Sequence, residues 1–305
     1  MVSHTFRRKL LITESLFTVA LLLFANTAHA EDAATETKSV EAAGLTWHTD
    51  YYDAYRAARN AKRMLLINFV PTKENATQRN LDQYIGQNAT VRDKLAAFER
   101  VRVPVDATVD INGKPVRLLS HPGFVHLSGQ PGIAVVDLAS KDCDYYGEVV
   151  TSLPYGSGKY YHWRNSHLAA VLDLPAGTIT QRTMVWAVRT HPEAPMSTTG
   201  HQSPQLAEAA ENHSQHQAAI GVQGHHQWDS RFHSIRSQVG AGTASEVVAE
   251  SWPNQNMLDS CIDCVQSWRQ SSGHWGAVRS RHRMFGYDIR RGGNGIWYGT
   301  GIFAN

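Results

Sequence analysis

Hydrophobic and polar positions in residues 45–177 alternate between helical and strand spacing. Tyr51, Tyr55 and Ala58 recur at the interval of one helix face, whereas residues 64–70 form a continuous apolar run of strand length. The predicted elements, in chain order, are a helix over 47–63, a strand over 64–70, a helix over 88–100, strands over 101–106, 132–138 and 145–150, and a helix over 162–174. Helices interleaved with strands predict an α/β or α+β fold.

A second predicted unit begins at Thr178, directly after the helix breakers Pro175 and Gly177. Its predicted elements are helices over 180–190, 205–220 and 257–268, followed by two strands within 284–303. The two strands are joined by Arg-Gly-Gly-Asn-Gly at 291–295, which is a strong hairpin signal. A length of 305 residues favours two domains, which we assign to 45–177 and 178–305.

Composition narrows the class of protein. Hydrophobic residues make up 42% of the chain and charged residues 18%, a balance typical of globular domains rather than disordered chains. The formal net charge is +2, and lysine and arginine are scattered along the chain. We therefore expect no nucleic-acid partner.

The first thirty residues have the features of an export signal. Arg7, Arg8 and Lys9 precede a short apolar run, and Ala28-His29-Ala30 is a small-x-small cleavage site. Cleavage is expected after Ala30, followed by a small, polar linker over 31–44. No other stretch is long enough to span a membrane. We expect a secreted or periplasmic protein without a membrane span in its mature form.

The three cysteines do not form a disulfide framework, because an odd number leaves at least one thiol unpaired. Cys261 and Cys264 have the spacing of a redox pair, so thiol redox chemistry is one hypothesis. Both also lie on the apolar stripe of the helix over 257–268, which favours buried cysteines that act as small hydrophobic residues. Cys143 lies in a polar turn.

The first unit resembles a thioredoxin-like domain. The residues that carry the resemblance are the helix over 47–63, the strand Leu65–Phe69 and Gly-Gln-Pro-Gly-Ile-Ala-Val-Val-Asp at 129–137, where Pro131 matches the family's cis-proline. The family's Cys-x-x-Cys is absent, since the corresponding residues 70–75 contain no sulfur. Dithiol exchange needs thiols. The resemblance therefore implies a redox-inactive module that scaffolds the protein or docks a protein partner.

The second unit resembles the CAP superfamily, which comprises cysteine-rich secretory, antigen-five and pathogenesis-related proteins, in its short bacterial form. The resemblance rests on the helix over 205–220, Gly-His-His-Gln-Trp-Asp at 224–229, Ser-Glu-Val-Val-Ala-Glu at 245–250, the run 264–275 with its Trp-x-x-Ser-x-Gly-His, and the final hairpin. It implies an α-β-α sandwich with a shallow cleft. Two histidines and one or two glutamates would line that cleft, with or without a divalent cation.

The CAP resemblance assigns residues to this cleft. His225, with His226 as an adjacent competitor, matches the first histidine, Glu246 the glutamate and His274 the second histidine. Ser271 stands where some members have a second glutamate, so the family's set is incomplete. Two imidazoles and a carboxylate suffice to hold zinc with an open position for water. Without metal, the carboxylate can instead orient one imidazole.

A structural interpretation of the same residues is also open. In it, His225 caps a turn, Glu246 is solvated and His274 hydrogen-bonds a carbonyl group. Another histidine pair, His213 and His216, lies near one helix face, but it lacks the glutamate and the spacing of a metalloprotease helix. A partly buried structural role is the better interpretation for that pair.

Taken together, the sequence favours an exported binding or scaffold protein that is not a redox enzyme. Its cleft would take a small polar, peptide or cell-wall-derived ligand, directly or through a divalent cation such as zinc, and its partners would be cell-envelope components. One alternative is a metal-assisted hydrolase in which Glu246 or His274 is the general base. The other alternative is thiol redox chemistry at Cys261 and Cys264.

Overall fold

The computed structural model describes residues 38–305. The predicted signal peptide over 1–30 and the first part of the predicted linker lie outside the described residues. The mixed α/β class is confirmed. The first half contains β1 (Ser39–Ala42), β2 (Leu45–His48), α1 (Tyr51–Ala61), β3 (Leu65–Val70), α2 (Ala76–Gln87), α3 (Ala89–Leu95), β4 (Glu99–Pro104), β5 (Thr108–Ile111), β6 (Lys114–Arg117), β7 (Gly132–Val136), β8 (Val149–Pro154) and α4 (Ser166–Leu172).

Among the described residues, the second half contains five α-helices and a small sheet. Its elements are α5 (Ile179–Arg189), β9 (His201–Gln202), α6 (Pro204–Ile220), α7 (Trp228–Val239), β10 (Ala244–Glu250), α8 (Met257–Gln270), α9 (Ser272–Arg279), β11 (Met284–Arg291) and β12 (Trp297–Ala304). Two short 3-10 helices, Leu118–Ser120 and Pro122–Leu127, lie between β6 and β7 in the first half. No helix among the described residues is long and apolar enough to cross a membrane.

The first sheet has six strands in the order β1-β2-β4-β3-β7-β8. Strands β2, β4 and β3 run parallel, while β7 and β8 are antiparallel to their neighbours. The first five residues of β3 are fully buried, as its continuous apolar run predicts for a strand covered on both faces. A separate hairpin joins β5 and β6.

The second sheet has the order β10-β12-β11-β9, and helices cover both of its faces. Helix α6 packs across β11 and β12, where alternate residues such as Ile302 and Ala304 face it. Helices α5, α8 and α9 pack on the opposite face, which carries Phe303 and Tyr287. Gly286 permits the close approach of α6, since a Cβ there would lie 2.2 Å from the backbone of Leu206. The predicted C-terminal hairpin is confirmed.

Several sequence predictions differ from the structure, and the differences in secondary structure have local causes. Residues 39–42, assigned to the linker, form β1 because they pair with β2. The strand predicted over 145–150 begins only at Val149, because the Tyr146 and Glu148 N–H groups donate to the carbonyl oxygens of Cys143 and Tyr145 and hold the preceding segment in turns. Helices α2 and α7 were not predicted at all, because their sequences lack a full apolar stripe.

Pro131 is not a cis-proline, because no cis peptide bond occurs among the described residues. The trans form is the intrinsically preferred isomer of an X-Pro bond. Pro131 directly precedes β7, and its carbonyl oxygen accepts the Tyr155 N–H at 2.7 Å. Pro131 therefore marks the start of β7 and contributes a backbone hydrogen bond there.

One apolar core runs through both halves of the described chain. Trp47 and Leu66 of the first half belong to the same buried cluster as Met184 and Trp268 of the second half. Burial of large aromatic and aliphatic side chains is the main stabilising contribution in such a core. The domain boundary at residues 177 and 178 stays a prediction.

A buried carboxylate also ties the two halves together. Asp259, in the first turn of α8, accepts the backbone N–H groups of Lys159, Tyr160 and Tyr161 at 2.9, 2.7 and 2.9 Å. Gly158 is required beside it, because a Cβ there would lie 2.2 Å from Asp259 Oδ2. Burial alone would raise the pKa of Asp259, but the hydrogen bonds lower it below its usual value.

The substitution Asp259→Ala is expected to lower the free energy of unfolding by about 3 kcal/mol at pH 7, because it removes the acceptor of three buried N–H donors. The carboxylate's folded pKa is depressed, so its contribution is present above pH 3.8 and is lost as the pH falls through the folded pKa. Urea unfolding at several pH values measures both effects.

The matched control is Asp263→Asn on the same helix, where burial raises the pKa of the carboxyl group. We expect this change not to lower the free energy of unfolding at pH 7, because burial disfavours the charge of this carboxyl group and asparagine keeps an acceptor oxygen. Equal losses for the two variants would contradict the role given to Asp259.

Candidate functional site

His225, Glu246 and His274 lie together in the structure, although they come from three separate segments. His225 Nδ1 lies 2.9 Å from Glu246 Oε1, and His225 Nε2 lies 3.2 Å from His274 Nε2. Glu246 is on β10, His225 is in the loop before α7, and His274 is in the first turn of α9. These three predicted residues therefore form one linear arrangement, from a carboxylate through two imidazoles.

Burial differs sharply along this arrangement. The Glu246 side chain is 1% exposed, whereas the His225 side chain is 44% exposed. The structural interpretation, in which Glu246 is solvated, is therefore wrong. The arrangement begins with a carboxylate under the surface and ends with imidazole rings that solvent can reach.

Arg231 explains how a carboxylate can be buried here. Its Nη2 lies 2.8 Å from Glu246 Oε1, and its Nη1 contacts Oε2, so the guanidinium holds both oxygens. Burial alone would raise the pKa of Glu246, but the hydrogen bonds from Arg231 and His225 lower it below its usual value. Glu246 is consequently an anion with both oxygens engaged.

Sequence reasoning did not identify Arg231. It lies on α7, a helix with a single buried apolar residue, Ile235, and therefore without a clear amphipathic pattern. Its Nε also donates to the carbonyl oxygen of His226 at 2.9 Å, and its guanidinium lies 5.2 Å from the Trp228 ring centre. A signal was available in principle, since a buried glutamate needs a cationic partner.

The hydrogen bonds determine which ring nitrogen carries the proton in neutral His225 and in neutral His274. An ionised carboxylate only accepts hydrogen bonds, so the Nδ1 of His225 must carry the proton that Glu246 receives. Nε2 of a neutral His225 then has a lone pair, and Nε2 of His274 donates to it. Glu246 thereby sets the tautomer of both rings.

Backbone interactions hold His225 in place. Gly224, directly before it, donates its N–H to Gln217 Oε1 at 3.0 Å, and its carbonyl oxygen contacts Nε2 of His213 at 2.9 Å. His213 is buried, and burial lowers its pKa to about 4 although Glu246 opposes this. His213 thus has the structural role that its sequence context favoured.

His226 and Ser271 stay outside the arrangement. His226 Nε2 bonds the Val222 carbonyl oxygen at 3.2 Å, and its ring packs near His213 and His216. Ser271 lies at the junction of α8 and α9, and none of its hydrogen bonds reaches the two histidines or Glu246. The assignment of Ser271 to the cleft stays a prediction.

A shallow groove opens beside His225. It has a volume of about 440 Å³ and is lined by His225 and by the first residues of α7, namely Gln227, Trp228, Asp229 and Ser230. Aromatic, amide, carboxylate and hydroxyl groups thus surround the exposed imidazole. Such a lining offers both hydrogen-bonding groups and an aromatic face to a small polar ligand.

The predicted three-donor metal site is not supported. Within residues 38–305, no group of three or more His, Cys, Asp and Glu side chains is arranged to hold a metal ion. Glu246 lies on the Nδ1 side of the His225 ring, away from Nε2, and Arg231 occupies its oxygens. Two imidazole nitrogens alone fall short of the three protein donors of a catalytic zinc ion.

The candidate redox pair is inert in this fold. Cys261 and Cys264 are both fully buried and both are free thiols. Burial raises the pKa of each thiol well above its ordinary value. Since only the thiolate reacts, these residues pack as small hydrophobic side chains.

Comparison with known proteins gives no assignment: no protein-family model matches the chain, and no curated protein matches it. The evidence for a function therefore lies in the geometry of the chain's own residues.

The substitution Arg231→Gln is expected to lower the free energy of unfolding by about 3 kcal/mol at pH 7, because it leaves the buried Glu246 carboxylate without its cation. The native pKa of Glu246 is depressed, so the wild type loses this stabilisation as the pH falls below 4.5. The difference between wild type and variant should therefore shrink on acidification.

Arg236→Gln is the control, since Arg236 lies on the same helix and forms no ion pair among the described residues. It should behave like the wild type in urea unfolding from pH 7 to pH 4. An Arg231→Gln protein as stable as the control would show that the ion pair is dispensable.

A second test concerns the coupling of the two imidazoles. Burial, followed by the charge of His225, lowers the pKa of His274 below 6.5. The substitution His225→Ala should therefore raise the pKa of His274, because it removes the second of these two causes. An NMR titration of the His274 ring measures this, and an unchanged or lower pKa would contradict the contact between the rings.

Proposed function

We propose that the chain is an exported binding protein whose cleft, formed by His225, His274 and the groove at the start of α7, takes a small polar ligand of the peptide or cell-wall class. The observation that carries the proposal is the 3.2 Å contact between the solvent-accessible imidazole rings of His225 and His274, of which His225 is held by the buried carboxylate of Glu246. The ligand would bind by hydrogen bonds to these rings.

Preorganisation supports ligand binding at this cleft. Arg231 fixes Glu246, Glu246 fixes the His225 ring, and Gly224 is fixed by Gln217 and His213. Rings that are already oriented lose little conformational freedom when a ligand arrives. Histidines that are only solvated at a surface are not held by hydrogen bonds of this kind.

The CAP resemblance is part of the proposal. It is supported by the order of elements in the second half, by the helices on both faces of its sheet and by the meeting of His225, Glu246 and His274. The thioredoxin-like resemblance is likewise supported by a mixed sheet in which β3 lies between β4 and β7. We propose that this first half is a scaffold or a docking module for a protein partner.

Binding is favoured over hydrolysis by the state of Glu246. A general base must be free to accept a proton from water, but Glu246 has both oxygens engaged and a lowered pKa. Ser271, which stands where some CAP proteins have a second glutamate, supplies no carboxylate. The polar groups that line the groove are suited to hydrogen bonding with a ligand.

The binding test uses soluble muropeptides and di- and tripeptides as probes, titrated into protein with labelled histidines and followed by NMR. We expect at least one probe to shift the His225 and His274 ring signals. His274→Ala should weaken its binding about tenfold, because a hydrogen bond between the ring and the ligand is lost. Chelator should leave the binding unchanged, since the ligand contacts the rings directly.

His233→Ala is the matched control, because His233 is an exposed histidine of α7 that does not line the groove. It should bind the probe like the wild type. Absence of binding by every probe, or binding that survives in His274→Ala, would refute the proposed ligand site. Binding abolished by chelator would refute direct contact.

A further inference from the structure

A second surface groove lies at the far end of α9. It has a volume of about 520 Å³ and is formed by the loop 193–196 and by residues 279–281, and we call it the arginine groove. It shares no residue with the groove beside His225. Arg279 ends the helix on which His274 lies, five residues and about 8 Å further along the axis.

The arginine groove carries cationic groups that no acid neutralises. Arg279 and Arg281 are exposed, as is the adjacent Arg283, and none of them forms an ion pair with a described carboxylate. Glu193 is the one acidic residue of the lining, and it pairs with Arg269. Three unpaired charges within five residues contrast with a net charge of +2 for the whole chain.

The backbone turns these arginines outward. Ser280 is extended, with φ −81° and ψ 157°, and side chains alternate across an extended segment. His282 points inward, because its ring stacks on the buried Phe303 at 4.5 Å and its Nε2 bonds the Ala277 carbonyl oxygen at 2.8 Å. Its neighbours Arg281 and Arg283 therefore face solvent.

The opposite wall of the groove is apolar and firmly held. Ala194, Pro195 and Met196 form it, and Met196 is 38% exposed. The Met196 N–H donates to the Arg279 carbonyl oxygen at 3.3 Å, which fixes the spacing of the two walls. Ala194 has a φ of +45°, a left-handed conformation that is strained for alanine and is often found at ligand sites.

We propose that the arginine groove binds the phosphate group of a phosphate monoester, with the ester's apolar substituent against Ala194 and Met196, which are the exposed residues of the apolar wall. A planar guanidinium donates paired hydrogen bonds to the oxygens of a tetrahedral oxyanion, and two arginines match its double charge. The apolar wall selects an ester over the free ion. This site is separate from the proposed function and does not depend on it.

The experiment titrates phenyl phosphate, inorganic phosphate and phenol into the full-length protein by calorimetry at low ionic strength. Phenyl phosphate should bind several-fold more tightly than inorganic phosphate, and phenol should not bind. Arg279→Gln and Arg281→Gln should each weaken the binding of phenyl phosphate about tenfold, because a charge-assisted hydrogen bond is lost. Raising the salt concentration should weaken it too.

Arg291→Gln is the matched control, since Arg291 is an exposed arginine outside the groove that forms no ion pair among the described residues. It should leave the affinity within twofold of the wild type. Circular dichroism spectra and thermal melts show whether each variant is folded. Equal affinity for phenyl phosphate and inorganic phosphate, no binding of either, or equal losses in all three variants would overturn the proposal.

Vesicles of phosphatidylcholine with and without phosphatidic acid distinguish a lipid source of the phosphate group from a soluble one. Binding to both phenyl phosphate and the phosphatidic acid vesicles assigns the group to a lipid headgroup. Binding to phenyl phosphate alone assigns it to a soluble ester. Binding to vesicles that survives in Arg281→Gln would overturn the assignment of the groove.

Discussion

The ion pair between Arg231 and Glu246 is the interaction on which the candidate site depends. An isolated carboxylate that is 1% exposed would be neutralised or expelled, since burying a charge without a partner is very unfavourable. The guanidinium keeps Glu246 ionised in place. An ionised Glu246 then determines which nitrogen of His225 carries the proton, and through it how His274 must point. Geometry and protonation of the cleft thus follow from one contact.

The rest of the fold serves to hold the segments that carry these side chains. Strand β10 is anchored along β12, with Glu246 opposite Ile302, and α9 packs against β10. The first half of the chain adds to this support, because the apolar core runs through both halves and Asp259 fixes the loop that precedes α4.

The sequence predicted those elements whose apolar pattern is complete. Strand β3, helices α5, α6 and α8 and the final hairpin were predicted because burial leaves a regular spacing in the residues. Helix α7 and strand β1 were not predicted, since α7 buries little and β1 has no buried residue of its own and pairs with β2. Pattern alone cannot reveal structure that is stabilised by hydrogen bonds between segments.

The same limit applies to the candidate site. His225, Glu246 and His274 were selected by a resemblance of short motifs, and the fold brings them together. Arg231 was missed because a single arginine on a polar helix has no distinguishing pattern, although it supplies the charge that makes the site feasible. Ser271 was placed in the cleft by its match to a family position, and that assignment stays a prediction. Contacts across the fold decide such roles.

Long-range proton–nitrogen NMR spectra of the unliganded protein at neutral pH report the tautomeric state of the two rings directly. If Glu246 orients His225, then His225 carries its proton on Nδ1, with a free Nε2, while His274 carries its proton on Nε2. Detection of His225 protonated on Nε2 alone would contradict this, because Glu246 would then not be orienting the ring.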